Sequence, residues 1–264
     1  MDKKPARIAL IVFSIALFLC GLTSPVAATT VAHWKFEEGQ PGAVASGPDS
    51  ILDSSGNDQH GTPIGGPIYT SVTNPNSIVG LQFDGVNDFI ILVDNPSLFE
   101  LTSFTLEAFI KIDEVIRPTM AIVGRGDDRQ GYDPFSLMLA RWGHLSTNFW
   151  GPNGENIYFD SISTLPLDQF IHVATIFNES TGRLKLFING QEDSHLDTTV
   201  IPGVEMDLDE NPIITIGGSP LPHCQPPFCY LLELSMKFES RTLRSIHQNF
   251  YTDRLLPVPD LPLR

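Results

Sequence analysis

An all-β fold is what this sequence predicts: a sandwich of two antiparallel sheets with one short helix near the carboxy terminus. Three observations carry the prediction. Apolar and polar residues alternate in short runs, Gly, Pro, Asn and Asp cluster between the runs, and only 242–250 reads as a helix. Side chains on a strand point alternately to opposite faces, so alternation marks a strand with one face buried. Many short strands with frequent turns pack as a sandwich or jelly roll.

The chain opens on a different pattern. Lys3, Lys4 and Arg7 precede an apolar run over 8–22, Ser24-Pro25 breaks it, and Val26-Ala27-Ala28 supplies small residues before Thr29. A basic start, an apolar middle and a small-residue end predict a cleavable secretory signal over 1–28. The alternative is an uncleaved anchor, but the apolar run is short for a span, which needs about 20 residues. The expected location is therefore secreted, periplasmic or on the cell surface, with no membrane span after cleavage. About 236 of the 264 residues remain, a length that suits one large β domain over 29–252. A proline-rich tail over 253–264 is expected to be extended.

The strand candidates follow in order. Segment 31–37 alternates in part. Segments 81–83 and 89–93 flank Asp84-Gly85. Segment 104–112 alternates well and puts Phe104, Leu106, Ala108 and Ile110 on one face, with Glu107 on the other. Further candidates are 120–123, 135–141, 144–150, 157–160 and 171–177. Segment 184–188 ends in Asn189-Gly190, a hairpin turn. Segments 213–216 and 231–238 complete the set.

Charge and cysteines narrow the function. The chain carries a net charge of −15; without 1–28 it has 13 basic and 30 acidic residues, net −17. Such a surface repels phosphate backbones, which argues against nucleic acid. Past the signal two cysteines remain, Cys224 and Cys229. In an exported protein a local disulfide between them is the natural expectation. A metal would need more ligands than His223 and two thiols.

Seven motifs, kept in order, resemble the LamG-like (concanavalin A-type) jelly-roll domains of exported bacterial proteins. They are His33-Trp34-Lys35-Phe36-Glu37-Glu38, Leu52-Asp53-Ser54-Ser55-Gly56-Asn57 and Phe83-Asp84-Gly85-Val86-Asn87-Asp88. Then come Ser103-Phe104-Thr105-Leu106-Glu107-Ala108, Phe170-Ile171-His172-Val173-Ala174, the 184–190 strand and turn, and Ile213-Ile214-Thr215-Ile216-Gly217. The end departs: Cys229-Tyr230-Leu231-Leu232-Glu233-Leu234 lacks the Gly and Asp of the family's closing strand.

The resemblance implies a concanavalin A-like jelly roll, a calcium option and a carbohydrate option. Calcium takes several hard oxygens at once, and Asp53, Asn57 and Glu37 (or Glu38) are the candidate ligands. The alternative for that loop is an ordinary turn in which Asp and Asn cap their own backbone. For sugar, Arg141, Trp142, His144, Asn148 and Trp150 offer aromatic faces and planar polar groups; the alternative places both Trp in the core. His172 stands where the family pattern has a core or sheet histidine.

Glu205-Met206-Asp207-Leu208-Asp209-Glu210 resembles a signature of retaining glycosidases that share the jelly roll. It would make Glu205 the nucleophile, Asp207 a helper and Glu210 the acid/base, with two carboxyls about 5–5.5 Å apart. Pro202-Gly203 and Asn211-Pro212 flank it, and neither suits a central strand. The sequence therefore predicts a non-catalytic binding module for a glycan or an extracellular protein surface. A glycoside hydrolase and an adhesive scaffold without a small ligand are the alternatives.

Overall fold

A computed structural model describes residues 29–92, 103–115, 119–126, 135–150, 156–194, 198–199, 213–218 and 233–240. The predicted signal (1–28), the helix (242–250) and the tail (253–264) lie outside the described residues.

Sixteen strands follow in chain order: β1 (Thr29–Trp34), β2 (Thr62–Ile64), β3 (Ile68–Thr70), β4 (Gly80–Gln82), β5 (Phe89–Leu92), β6 (Phe104–Lys111), β7 (Thr119–Gly126) and β8 (Phe135–Ala140). After a tight turn at Arg141–Gly143 come β9 (His144–Trp150), β10 (Asn156–Thr164), β11 (Phe170–Asn178), β12 (Arg183–Ile188), β13 (Gln191–Glu192), β14 (Thr198–Thr199), β15 (Ile213–Ile216) and β16 (Glu233–Ser240). Among the described residues the only helical element is that one turn.

The strands form two antiparallel sheets. A seven-stranded sheet runs β10-β9-β8-β7-β15-β5-β2. The nine-stranded sheet runs β13-β12-β11-β6-β16-β4-β3, with β1 paired to β16 and β14 to β12. The jelly roll predicted from alternation is therefore present, and the closing strand forms despite its missing Gly and Asp. Four strands of two or three residues (β2, β3, β13, β14) went unpredicted because alternation has no length to register there.

The core lies between the sheets and is filled largely by alternating strand residues, although β11 buries five in succession, Val173 to Phe177. Phe104, Leu106, Ala108 and Ile110 of β6 are buried, as their alternation predicts. Phe135, Leu137 and Leu139 of β8 oppose them. Phe104 meets Phe135 at 5.4 Å between ring centroids and Phe177 at 5.7 Å, so three rings bridge the layers in tilted geometry, the arrangement aromatic quadrupoles favour. Trp34 is fully buried, and its indole N–H donates to the Gln59 carbonyl at 2.7 Å. Of the two places expected for His172 it takes the sheet one: it lies in β11 and points away from the core, 3.2 Å from the Glu107 carboxylate and beside the Phe109 ring.

Turn chemistry is where the family motifs are used. Asp84 Oδ1 accepts from the backbone of Val86, Asn87 and Asp88, while Asp88 Oδ2 accepts from Asp84 N–H. Burial pushes the Asp88 carboxyl above its usual range. Gly217 has φ +77°, and a Cβ there would sit 2.5 Å from the Phe83 ring. Only glycine serves both the backbone and the packing at that position.

Candidate functional site

The β7–β10 strands present one face to the core and the other away from it; on that outer face Ser146 and Asn148 are buried and Tyr158 is exposed. Because Leu137 and Leu139 point inward, Ser136 and Met138 point outward. Strand register then lines up one position from each of the seven strands on the outer face. Tyr158 pairs with Asn148, Ser136 with Gly124, Gly124 with Thr215, Thr215 with Ile91, and Ile91 with Thr62. Asn148 and Ser136 are joined directly: the Ser136 hydroxyl donates to Asn148 Oδ1 and accepts from Asn148 N–H. A second outward row follows, Ala121–Met138–Ser146–Asp160.

The first row has a distinct profile. Gly124 and Ser136 at its middle are half-buried, Thr215 and Asn148 are buried beside them, and Tyr158 stands exposed at the edge strand. Nothing in the fold demands glycine at 124: a Cβ there would lie 3.9 Å from Ser136 Cβ and 4.0 Å from the Phe135 carbonyl, ordinary contacts. The effect of Gly124 is a low floor flanked by hydroxyl and amide groups.

Of the five residues predicted to bind sugar, the side chains of three (Trp142, His144 and Asn148) are described, and they lie at different places along the β8–β9 hairpin. Asn148 lies in the row. His144 is tied to the edge strand, its Nδ1 2.9 Å from the Ser161 carbonyl. Trp142 sits on the turn at the end of the hairpin, 78% exposed, so it is not a core residue. Arg141 opens that turn and Trp150 closes β9 opposite Asn156; their side chains lie outside the described residues. Sequence reasoning missed Gly124, Ser136, Thr215 and Tyr158. Alternation within β8 contained the signal for Ser136, but the row exists only through register between strands distant in the chain.

The calcium candidates do not fit a cation. Asp53 Oδ1 accepts from His33 N–H and Ser55 N–H, each at 2.8 Å. Its Oδ2 accepts from the Ser55 hydroxyl at 2.6 Å and from Gln59 N–H at 3.0 Å. Four donors converge on this carboxylate, whereas a calcium site presents converging oxygens. Burial alone would raise the Asp53 pKa; the Ser55, His33 and Gln59 hydrogen bonds outweigh it and hold the carboxyl below its ordinary range. Asn57 turns its amide N–H groups to the Thr30 and Val31 carbonyls. Glu37 is engaged elsewhere, by the Ser77 hydroxyl and Ile78 N–H. Glu38 accepts from the Tyr69 hydroxyl at 3.0 Å, and burial raises both groups' pKa. Among the described residues no three His, Cys, Asp or Glu groups gather in one place. The hydrogen bonds of the loop are those of a self-capping turn.

Glu205, Asp207 and Glu210, and the cysteines Cys224 and Cys229, lie outside the described residues.

The family model of the concanavalin A-like lectin/glucanases superfamily (a laminin G type) matches residues 84–229, more than half of the chain. The chain belongs to this superfamily. No curated protein matches its sequence. Solved structures share the superfamily fold with it at low identity. Domain 4 of AbnA, a GH43 extracellular arabinanase from Geobacillus stearothermophilus, solved with arabinotriose, is 20% identical with a TM-score of 0.55; the match covers 81% of this chain and 93% of that one. The binding domain of Paraclostridial Mosquitocidal Protein 1 is 17% identical with a TM-score of 0.53, over 79% of this chain and 50% of the other. A Trypanosoma rangeli sialidase is 17% identical with a TM-score of 0.51, over 80% of this chain and 30% of the enzyme. This lectin/glucanase-superfamily chain thus spans half of the toxin domain and under a third of the sialidase. At these identities the likeness is one of fold.

Proposed function

We propose that this chain is an exported, non-catalytic binding module that takes an extended, uncharged glycan across the outer face of its seven-stranded sheet. The observation that carries the reading is the row Thr62–Ile91–Thr215–Gly124–Ser136–Asn148–Tyr158. Six inter-strand steps of about 4.8 Å make it roughly 29 Å long, the scale of an oligosaccharide and not of one sugar. Amide and hydroxyl groups on both sides of Gly124 suit sugar hydroxyls, and the Tyr158 ring at the edge suits a C–H face. The chain's negative charge disfavours phosphate-rich partners and is indifferent to a neutral polymer. The basic-apolar-small pattern over 1–28 supports export.

The similar fold of an arabinanase domain guides the choice of probe. Retention on soluble arabinan and soluble β-glucan in affinity gels, with calorimetry on the matching trisaccharides, tests the reading. We expect the wild-type chain to be retained by one of the two polymers. Gly124→Trp fills the low floor and abolishes retention while the protein stays folded. Asn148→Ala weakens binding about tenfold, the loss of one to two good hydrogen bonds. A folded Gly124→Trp protein that binds as tightly as wild type removes the row from consideration.

A further inference from the structure

The tip of the β8–β9 hairpin carries a side chain that works against the fold's stability. Trp142 is the middle residue of the Arg141–Gly143 turn, at φ +69°, ψ +10°, and Gly143 follows at φ +84°. Glycine enters this left-handed region freely and Asn tolerates it, but a bulky residue there crowds its Cβ against the backbone carbonyl. The turn is not free to relax. The Gly143 carbonyl accepts from Leu165 N–H at 2.7 Å, and a Cβ on Gly143 would lie 3.6 Å from Val115 and 4.0 Å from Thr164. The Leu165 hydrogen bond ties the turn to the chain just after β10. The strained indole gains no burial in return: at 78% it is the most exposed of the chain's exposed large apolar side chains among the described residues. Strain and apolar exposure coincide at one position where Asn or Gly would incur neither, and strain that the fold does not use is a mark of function.

We propose that Trp142 is a second ligand contact, a rigidly aimed indole that stacks on the C–H face of a sugar ring away from the row; the proposal rests on the glycan reading above. Six residue steps of strand and turn separate Trp142 from Asn148, roughly 15–20 Å. A trisaccharide lying in the row does not reach that far. The ligand that meets both is a branched or long polymer, so Trp142 adds a contact that polymeric glycan reaches and a short oligosaccharide held in the row does not.

The test uses Trp142→Asn and Trp142→Tyr in the full chain, with Gly124→Trp and Asn148→Ala as row variants. The probes are soluble arabinan, soluble β-glucan and their trisaccharides, and melting temperature is the second readout. Trp142→Asn is expected to raise Tm by about 2–4 °C, to weaken polymer binding about tenfold and to leave trisaccharide binding unchanged. Trp142→Tyr keeps the ring and holds polymer binding within about threefold of wild type. An unchanged or lower Tm in Trp142→Asn overturns the proposal, as does undiminished polymer binding or an equal loss on the trisaccharide. If Trp142→Asn loses the polymer while both row variants keep it, the row reading fails and the Trp142 contact stands. Retention of the wild-type chain by neither polymer overturns both. Trp142-dependent binding to phosphatidylcholine vesicles in place of polysaccharide assigns the indole to a membrane surface and overturns the sugar assignment.

Discussion

Asp53 shows how one carboxylate can hold a loop. Its carboxylate takes four donors from 33, 55 and 59, and so ties the end of β1 to the turn that follows. Charge-assisted bonds of this kind are about twice as strong as neutral ones. Asp53→Asn turns an amide N–H group toward donors and is expected to cost about 2–4 kcal/mol, read by chemical denaturation. The pH dependence has a definite sign. The folded carboxyl titrates below its unfolded value of about 3.9, so its stabilisation is complete above that value and disappears as pH falls through the folded pKa. Wild type should lose Tm in that acid window more steeply than Asp53→Asn; parallel curves would show that the hub is energetically silent. Excess EDTA and excess calcium should leave the wild-type Tm unchanged, since the carboxylate has no free oxygen to offer. A calcium-dependent rise in Tm that Asp53→Asn abolishes would falsify this account of the loop.

At the scale of the element, β8 separates packing from recognition within six residues. Leu137 and Leu139 are fully buried, while Ser136 and Met138 face outward. Leu137→Ala is expected to cost about 2–5 kcal/mol through lost burial and a residual cavity, whereas Met138→Ala should stay within about 1 kcal/mol. Equal losses would mean that the outer face is as tightly covered as the core. Alternation made this division legible before any coordinates in β6, whose Phe104, Leu106, Ala108 and Ile110 are buried as their pattern assigns. The Asn189-Gly190 turn also follows its sequence, with φ +49° and +76°, because those residue types tolerate that backbone. The strain at Trp142 was not legible, since composition does not reveal φ. Nor was the row. β15 lies between β7 and β5 although many residues separate them, so Thr215 beside Gly124 is a product of register alone. The Asp53 loop was read as two alternatives, and only hydrogen-bond directions distinguish a turn that donates from a site that accepts.

At the scale of the molecule, the last described strand sits in the middle of its sheet. β16 pairs with β6 along all eight residues, with β4 at Glu233 and Leu234, and with β1 from Trp34 to Thr29. The first and last described strands are thus neighbours, and the nine-stranded sheet stays in pieces until the chain's final third arrives. Pairings this distant are closed only after a large loss of chain entropy. A chain ending at 218 would leave β6 as a bare edge, β1 without its sheet partner, and β3–β4 detached from the sheet. Half of the core would face water on such a fragment, and a net stability of about 5–15 kcal/mol does not survive that exposure. We therefore expect the fragment to show no cooperative thermal transition by near-ultraviolet circular dichroism and to bind hydrophobic dye, while the full chain melts in one step. The row proposed for glycan lies wholly on the other sheet, yet that sheet packs on the same core. Loss of polymer binding should accompany loss of β16 even though no row residue is removed. A fragment ending at 218 that melts cooperatively and still binds arabinan or β-glucan would mean that the seven-stranded sheet folds by itself, and that the two layers are energetically separate.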